Sequence, residues 1–266
     1  MDIVDPRRRT GYVLEREDDF AGPDLDRSLW FPHHLPQWSS RDQAAARYRL
    51  DAGLLRLVVE ADQPPWCPEF DGGTRVSSLQ TGVFSGPAGS VVGQHRFTAS
   101  AVVREPQDEQ RLFVPQYGFF EMRARVGDDP NGMAALWMIG FEDRPERSAE
   151  ICVFEIFGRD VAPGRSGVGM GVHPFGAPTL TDRFSRPVLP IDARDFHVYA
   201  VEWAPGHVAF FVDAAVITVV EQSPAYPMQF MLGTYAFPAD DGSPPPGPYP
   251  KEFVVDSFRA YRRTDP

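Results

Sequence analysis

Residues 149–158 read Ala-Glu-Ile-Cys-Val-Phe-Glu-Ile-Phe-Gly, an apolar run of strand type interrupted by Glu150 and Glu155. A carboxylate is seldom buried without a partner, because taking its charge out of water costs several kcal/mol. In a regular strand successive side chains point to opposite faces, so residues five apart could not cooperate. One extra residue at Val153 or Phe154, a β-bulge, restores the parity. It would place Glu150, Cys152 and Glu155 on one face and turn Ile151 and Ile156 toward the core. Two carboxyl groups facing one gap suit glycosidic bond cleavage with retention, where roughly 5–5.5 Å separates them. One attacks the anomeric carbon; the other protonates the departing oxygen and later deprotonates a water. Spacing alone leaves open a blander reading, in which both are solvent-facing residues near a strand edge.

A pair of this kind needs a rigid sheet to hold it, and the rest of the chain has the pattern of one. Phe120, Met122, Ala124 and Val126 alternate with Glu121, Arg123 and Arg125, which predicts a strand with one apolar and one polar face. Further strands are expected at Leu54–Glu60, Ala134–Phe141, Ile151–Phe157, Phe196–Trp203, Val208–Val212, Val216–Val220, Phe230–Phe237 and Glu252–Arg262. Pro64-Pro65, Gly72-Gly73, Asp129–Gly132, Pro163-Gly164 and the run Asp241–Pro250 break the chain between them. Proline supplies 27 of the 266 residues and glycine 23, which favours short segments joined by turns over long helices. The expected fold is therefore all-β, an antiparallel sandwich of two sheets, one of them able to curve and present a polar face. Residues 1–17 alternate basic and acidic clusters with few apolar anchors and read as a loosely docked N-terminal arm; residues 18–266 read as a single domain.

Charge narrows the ligand. The formal net charge of −11, from 37 acidic and 26 basic residues, would repel a phosphate backbone, so nucleic acid is not an expected partner. The first twenty residues contain no apolar centre of the secretory type and no 18-residue apolar run occurs, so no membrane contact is expected. As given, the chain reads as cytoplasmic; it would be secreted if a leader had been removed. Cys67 falls in a proline-rich loop and Cys152 in the apolar strand, which gives no disulfide framework or metal cluster. His33-His34 lacks further ligands at metal spacing, and G-x-S-x-G, phosphate-loop and H-E-x-x-H motifs are absent. Catalysis would need no cofactor.

The stretch Glu150-Ile151-Cys152-Val153-Phe154-Glu155 resembles the E-x-D-x-x-E signature of glycoside hydrolase family 16, the laminarinase and lichenase family. Tyr117-Gly118-Phe119-Phe120-Glu121-Met122-Arg123 is similar to its Y-G-x-[FY]-E-x-R strand, and Ala135-Leu136-Trp137-Met138 to its A-[FIL]-W-[ML] strand. Phe196-His197-Val198-Tyr199 with Glu202-Trp203, Phe211-Val212-Asp213, and Val255–Tyr261 resemble later blocks in the same order, so the likeness covers roughly residues 115–262. The resemblance implies a jelly roll of the concanavalin A type, with a polysaccharide or oligosaccharide as substrate. It implies Glu150 as nucleophile and Glu155 as general acid/base. Glu121 and Arg123 would match positions that hydrogen-bond sugar hydroxyls, and Trp137 an indole near the cleavage point. His173 would match a histidine after the acid/base strand. Trp66, in the Pro64–Phe70 loop, is read as an exposed aromatic that walls a subsite or plugs a gap. Asp256 matches a carboxylate that helps to hold a structural calcium in many family members.

Cys152 stands where the family has its central Asp, so a weak thiol donor replaces a group that orients the nucleophile and tunes its partner. Met133 and Gly233 also depart from the family pattern beside the cleft. The expected activity is that of a retaining endo-β-glycoside hydrolase acting on a β-1,3 or mixed-linkage glucan. Two alternatives stay open: a transglycosylase, and a carbohydrate-binding protein disabled at Cys152.

Overall fold

The computed structural model describes residues 11–264. Two antiparallel sheets face each other. The first runs in the order Ala215–Val220, His207–Val212, His197–Ala204, Gly118–Val126, Lys251–Arg263, Leu54–Val59, Tyr48–Asp51. The second runs Arg183–Ser185, Gly169–His173, Glu150–Phe157, Gly132–Gly140, Met228–Ala236, Arg75–Gln80. This is the all-β sandwich that the period-two pattern predicts.

The core forms where the apolar faces meet. Phe120, Met122, Ala124 and Val126 of the first sheet join one buried cluster with Leu136, Met138, Ile151 and Ile156 of the second. Aromatic rings knit the layers together: Phe230 stands 4.9 Å from Phe120 and 5.1 Å from Phe258, and Trp30 lies 5.3 Å from Phe258. Edge-to-face pairs of this kind add about 0.5–1.5 kcal/mol each beyond the area they bury. A second apolar cluster, which includes Trp66, Ala135, Trp137, Met231 and Tyr235, lies on the other face of the second sheet.

The bulge is present. In the ladder with Gly132–Gly140, Ala135 pairs with Glu155 and Leu136 with Phe154, but Trp137 pairs with Cys152, so Val153 has no opposite number. The ladder with Gly169–His173 slips at the same place, Gly169 facing Glu155 and Gly171 facing Cys152. Val153 and Phe154 both enter the main core.

Some expectations need correction. Tyr12–Asp18 is a strand paired with the upper half of Lys251–Arg263, so this part of the N-terminal arm is an element of the sheet. Its pairing comes from backbone groups and ion pairs such as Arg259–Glu17, which a scan for apolar anchors does not register. Residues 1–10 of that arm lie outside the described residues. Strands at Tyr48–Asp51, Arg75–Gln80 and Gly169–His173 were not expected: the first is four residues long, the second carries buried serines, and the third is built on glycines. Among the described residues no helix is long and apolar enough to cross a membrane.

Candidate active site

The outer face of the second sheet carries a cleft. Glu150, Cys152 and Glu155 all line it, together with Trp137 from the neighbouring strand and Tyr235 from the strand beyond. Counting by twos finds this set once the bulge is allowed for. Trp137 faces Cys152 in one ladder and Met231 in the next, and Tyr235 lies four pairs further along, opposite Met133. The Trp137 indole N–H donates to the Tyr235 hydroxyl at 3.2 Å, which fixes both rings.

The two glutamates differ in their company. Glu150 has no hydrogen-bond or ion-pair partner among the described residues. Burial, the nearby charge of Glu155 and that of Asp182 together push its pKa up to about 8. Glu155 is ion-paired to Arg186. Burial raises its pKa, while Arg186, then His173 and Arg159, pull it back down, with a net upward shift. Between them the Cys152 thiol reaches only the Gly169 carbonyl, at 3.9 Å. Burial, then Glu150 and Glu155, hold its pKa well above the usual thiol range, so it stays protonated and is no nucleophile.

His173 sits directly across the ladder from Glu150, its Nδ1 lying 3.0 Å from Asp182 Oδ2 and its ring stacked 4.7 Å from Phe184. Trp66 also borders the cleft, but it is 2% exposed, not an open aromatic platform; its N–H donates to Asp71 at 2.6 Å. The loop folds over it, so the ring forms a wall from behind.

Glu121 and Arg123 are elsewhere. Their strand belongs to the first sheet, and since Phe120 and Met122 enter the core, Glu121 and Arg123 project from the far side of the sandwich. Glu121 accepts from the Tyr261 hydroxyl at 3.3 Å and Arg123 pairs with Asp256 at 3.0 Å. Neither can reach a sugar in the cleft. Asp256 is therefore neutralised by a guanidinium, the wrong neighbour for a divalent cation. Among the described residues no three His, Cys, Asp or Glu groups converge as metal ligands.

Several lining residues were not anticipated. His34 is 4% exposed, its ring lies 4.6 Å from Trp66 and 5.5 Å from Tyr235, and its Nδ1 has no partner. Burial lowers its pKa to about 3, so the ring is neutral. His95, with a left-handed φ of 47°, sets its ring 4.9 Å from Trp137. Nothing local in the sequence marks these histidines or Arg186, since loops bring the two rings to the cleft and Arg186 to Glu155.

A family model described as "Glycosyl hydrolases family 16" matches residues 110–250. The chain belongs to that family. Among curated proteins, it is 29% identical over 151 residues to an endo-1,3-1,4-beta-glycanase, ExsH, of Rhizobium meliloti (strain 1021), a match that covers 56% of this chain and 31% of that protein. It is 34% identical over 105 residues to a beta-glucanase of Rhodothermus marinus, covering 36% of this chain and 35% of the relative. The matched region thus spans about a third of the length of these relatives. Of solved structures, a GlcNAcα1-4Gal releasing endo-β-galactosidase from Clostridium perfringens superposes with a TM-score of 0.83 at 27% identity, over 98% of this chain and 65% of that one. A laminarinase from Flavobacterium sp. UMI-01 superposes with a TM-score of 0.65 at 18% identity, over 94% of this chain and 100% of its own.

Proposed function

We propose that the chain is a retaining endo-β-glycosidase in which Glu150 is the nucleophile and Glu155 the general acid/base. The observation that carries this reading is the bulge at Val153–Phe154, which turns both carboxyl side chains into one cleft walled by Trp137 and Tyr235. In the first step Glu150, which must have lost its proton, attacks the anomeric carbon as Glu155, which must hold one, gives it to the departing oxygen. In the second, Glu155 takes a proton from water, whose oxygen displaces Glu150. Family membership supports a carbohydrate substrate. The curated relatives named above support a β-1,3 or mixed-linkage glucan.

A second reading of the substrate is favoured by a specific observation. The likeness to the endo-β-galactosidase extends over 98% of the chain with a TM-score of 0.83, against 0.65 for the laminarinase. A β-galactoside-containing glycan is therefore the competing substrate. The test is a panel of β-1,3-glucan, mixed-linkage β-glucan and β-galactosyl oligosaccharides, read by product length and repeated with Glu150→Gln. Shortened products from the wild type, absent with the variant, are expected. Products longer than the donor would mean transfer in place of hydrolysis; turnover that survives in Glu150→Gln would remove the nucleophile assignment.

A further inference from the structure

Arg186 follows the short strand Arg183–Ser185 at the edge of the second sheet, and four independent features hold it against Glu155. Its guanidinium is ion-paired with the Glu155 carboxylate, and its other terminal nitrogen lies 3.5 Å from Asp160. The guanidinium carbon stands 4.6 Å from the Phe157 ring centre and 5.9 Å from that of Phe184. The side chain crosses the adjoining segment over glycines. A Cβ added at Gly169 would lie 3.3 Å from Arg186 Nε and 2.6 Å from the Phe184 ring, and one at Gly167 would stand 3.7 Å from Arg186 Cγ. A slot of glycine, aromatic walls and a second carboxylate is more than a surface pairing, which by itself would be worth little.

We propose that Arg186 is a positioning residue for Glu155: it fixes that carboxyl group at the cleft and stabilises the carboxylate that forms each time Glu155 has given up its proton. The inference rests on the acid/base role given to Glu155 above. When the acid protonates the glycosidic oxygen, the C–O bonding pair leaves with that oxygen and Glu155 becomes a carboxylate, which Arg186 stabilises where it forms. The same contact then holds the base while it takes a proton from water. With Cys152 in place of an aspartate, the charge that organises the pair comes from outside the strand.

The groups that face Glu155 are few. Glu150 and Cys152 lie on its own strand, His173 on the adjoining one, Arg159 and Asp160 on the turn after it, and Tyr235 across the sheet. Arg186 alone of these touches the carboxylate with a full positive charge. Its removal must therefore raise the affinity of Glu155 for its proton.

The test is a carboxyl-13C NMR titration of Glu155, assigned with Glu155→Gln, in the wild type, Arg186→Met and Arg186→Lys. Methionine keeps a stem between the two rings without the charge. The titration midpoint of Glu155 should rise by about one unit or more in Arg186→Met and stay near the wild-type value in Arg186→Lys. On the substrate found by the panel, kcat should fall about 10- to 100-fold in Arg186→Met with little change in KM, and recover in part with lysine. Gly169→Ala, which crowds Arg186 and Phe184 away while keeping every charge, should raise the midpoint in the same sense and gives a second route should methionine disturb the fold. An unchanged midpoint in folded Arg186→Met or Gly169→Ala would overturn the inference. Glu155→Ala separates the two claims: undiminished turnover of the polysaccharide would sink the acid/base reading itself, whereas loss of turnover with an unmoved midpoint in Arg186→Met sinks only the role of Arg186.

Discussion

Glu150 is a carboxyl group whose nearest neighbour on its own strand face is a thiol that cannot hold it. Burial and the charge of Glu155 raise its pKa from 4.5 to about 8, so the folded state binds this proton more tightly than the unfolded chain does. The sign of the linkage follows: this contribution to stability is whole below about pH 4.5 and is lost as pH rises through about 8. Glu150→Gln removes the titration. Its unfolding free energy should match the wild type near pH 5 and exceed it at pH 9, by an amount on the order of 1–3 kcal/mol after allowing for partial exposure to the cleft, with a higher melting temperature at pH 9. Equal melting curves at both pH values would show that the carboxyl is not desolvated. At this scale much was legible: the spacing of Glu150, Cys152 and Glu155, with a single bulge, defines the floor of the cleft, and Trp137 and His173 fall beside it. Glu121 and Arg123 were misplaced for a simple reason. Alternation tells which residues share a face of a strand, but not which of two sheets the strand joins or on which side the cleft opens.

The Glu150–Phe157 strand shows how one residue sets the chemistry of an element. Without Val153 in the bulge, Glu150 and Cys152 would exchange faces with Ile151 and swing into the core beside Phe120 and Leu136. Deletion of Val153 should therefore cost several kcal/mol, the penalty for burying an unpaired carboxylate, and yield insoluble or unfolded protein. Val153→Ala keeps the register and should cost only about 2 kcal/mol. Comparable stability of the two variants, measured by denaturant unfolding, would mean that the strand can slip without penalty. Strong period-two patterns such as Phe120–Val126 reveal themselves in sequence. Arg75–Gln80 does not, because its buried Ser77 and Gln80 find partners distant in the chain, Ser77 donating to the Val58 carbonyl at 2.6 Å and the Gln80 side-chain oxygen accepting from the Leu35 amide at 3.3 Å. Gly169–His173 is hidden for another reason: Gly169 and Gly171 there make room for the Arg183–Ser185 strand, and only Met170 and Val172 are left to carry the apolar period.

Across the whole molecule the two outer surfaces do different work. The second sheet carries the glutamates, while the first carries ion pairs such as Arg123–Asp256 and Arg259–Glu17. Half-exposed pairs of this kind contribute about 0–1 kcal/mol. Arg123→Ala should accordingly leave kcat/KM within about twofold of the wild type and shift stability by less than about 1 kcal/mol. A large rise in KM would instead bring that surface into substrate binding. The sandwich itself was evident from composition and alternation, because many short apolar strands separated by turns have few other ways to bury their inner faces.

Tyr12–Asp18 lies alongside the end of Lys251–Arg263, and the Thr264 amide donates to the Gly11 carbonyl at 2.8 Å. The two extremities of the described fold are thus within one peptide's reach of each other, on the sheet that does not bear the cleft. A backbone joined directly between Thr264 and Gly11 would be closed at that seam. It could then be reopened in the exposed stretch around Asp240–Ser243 without cutting a sheet ladder.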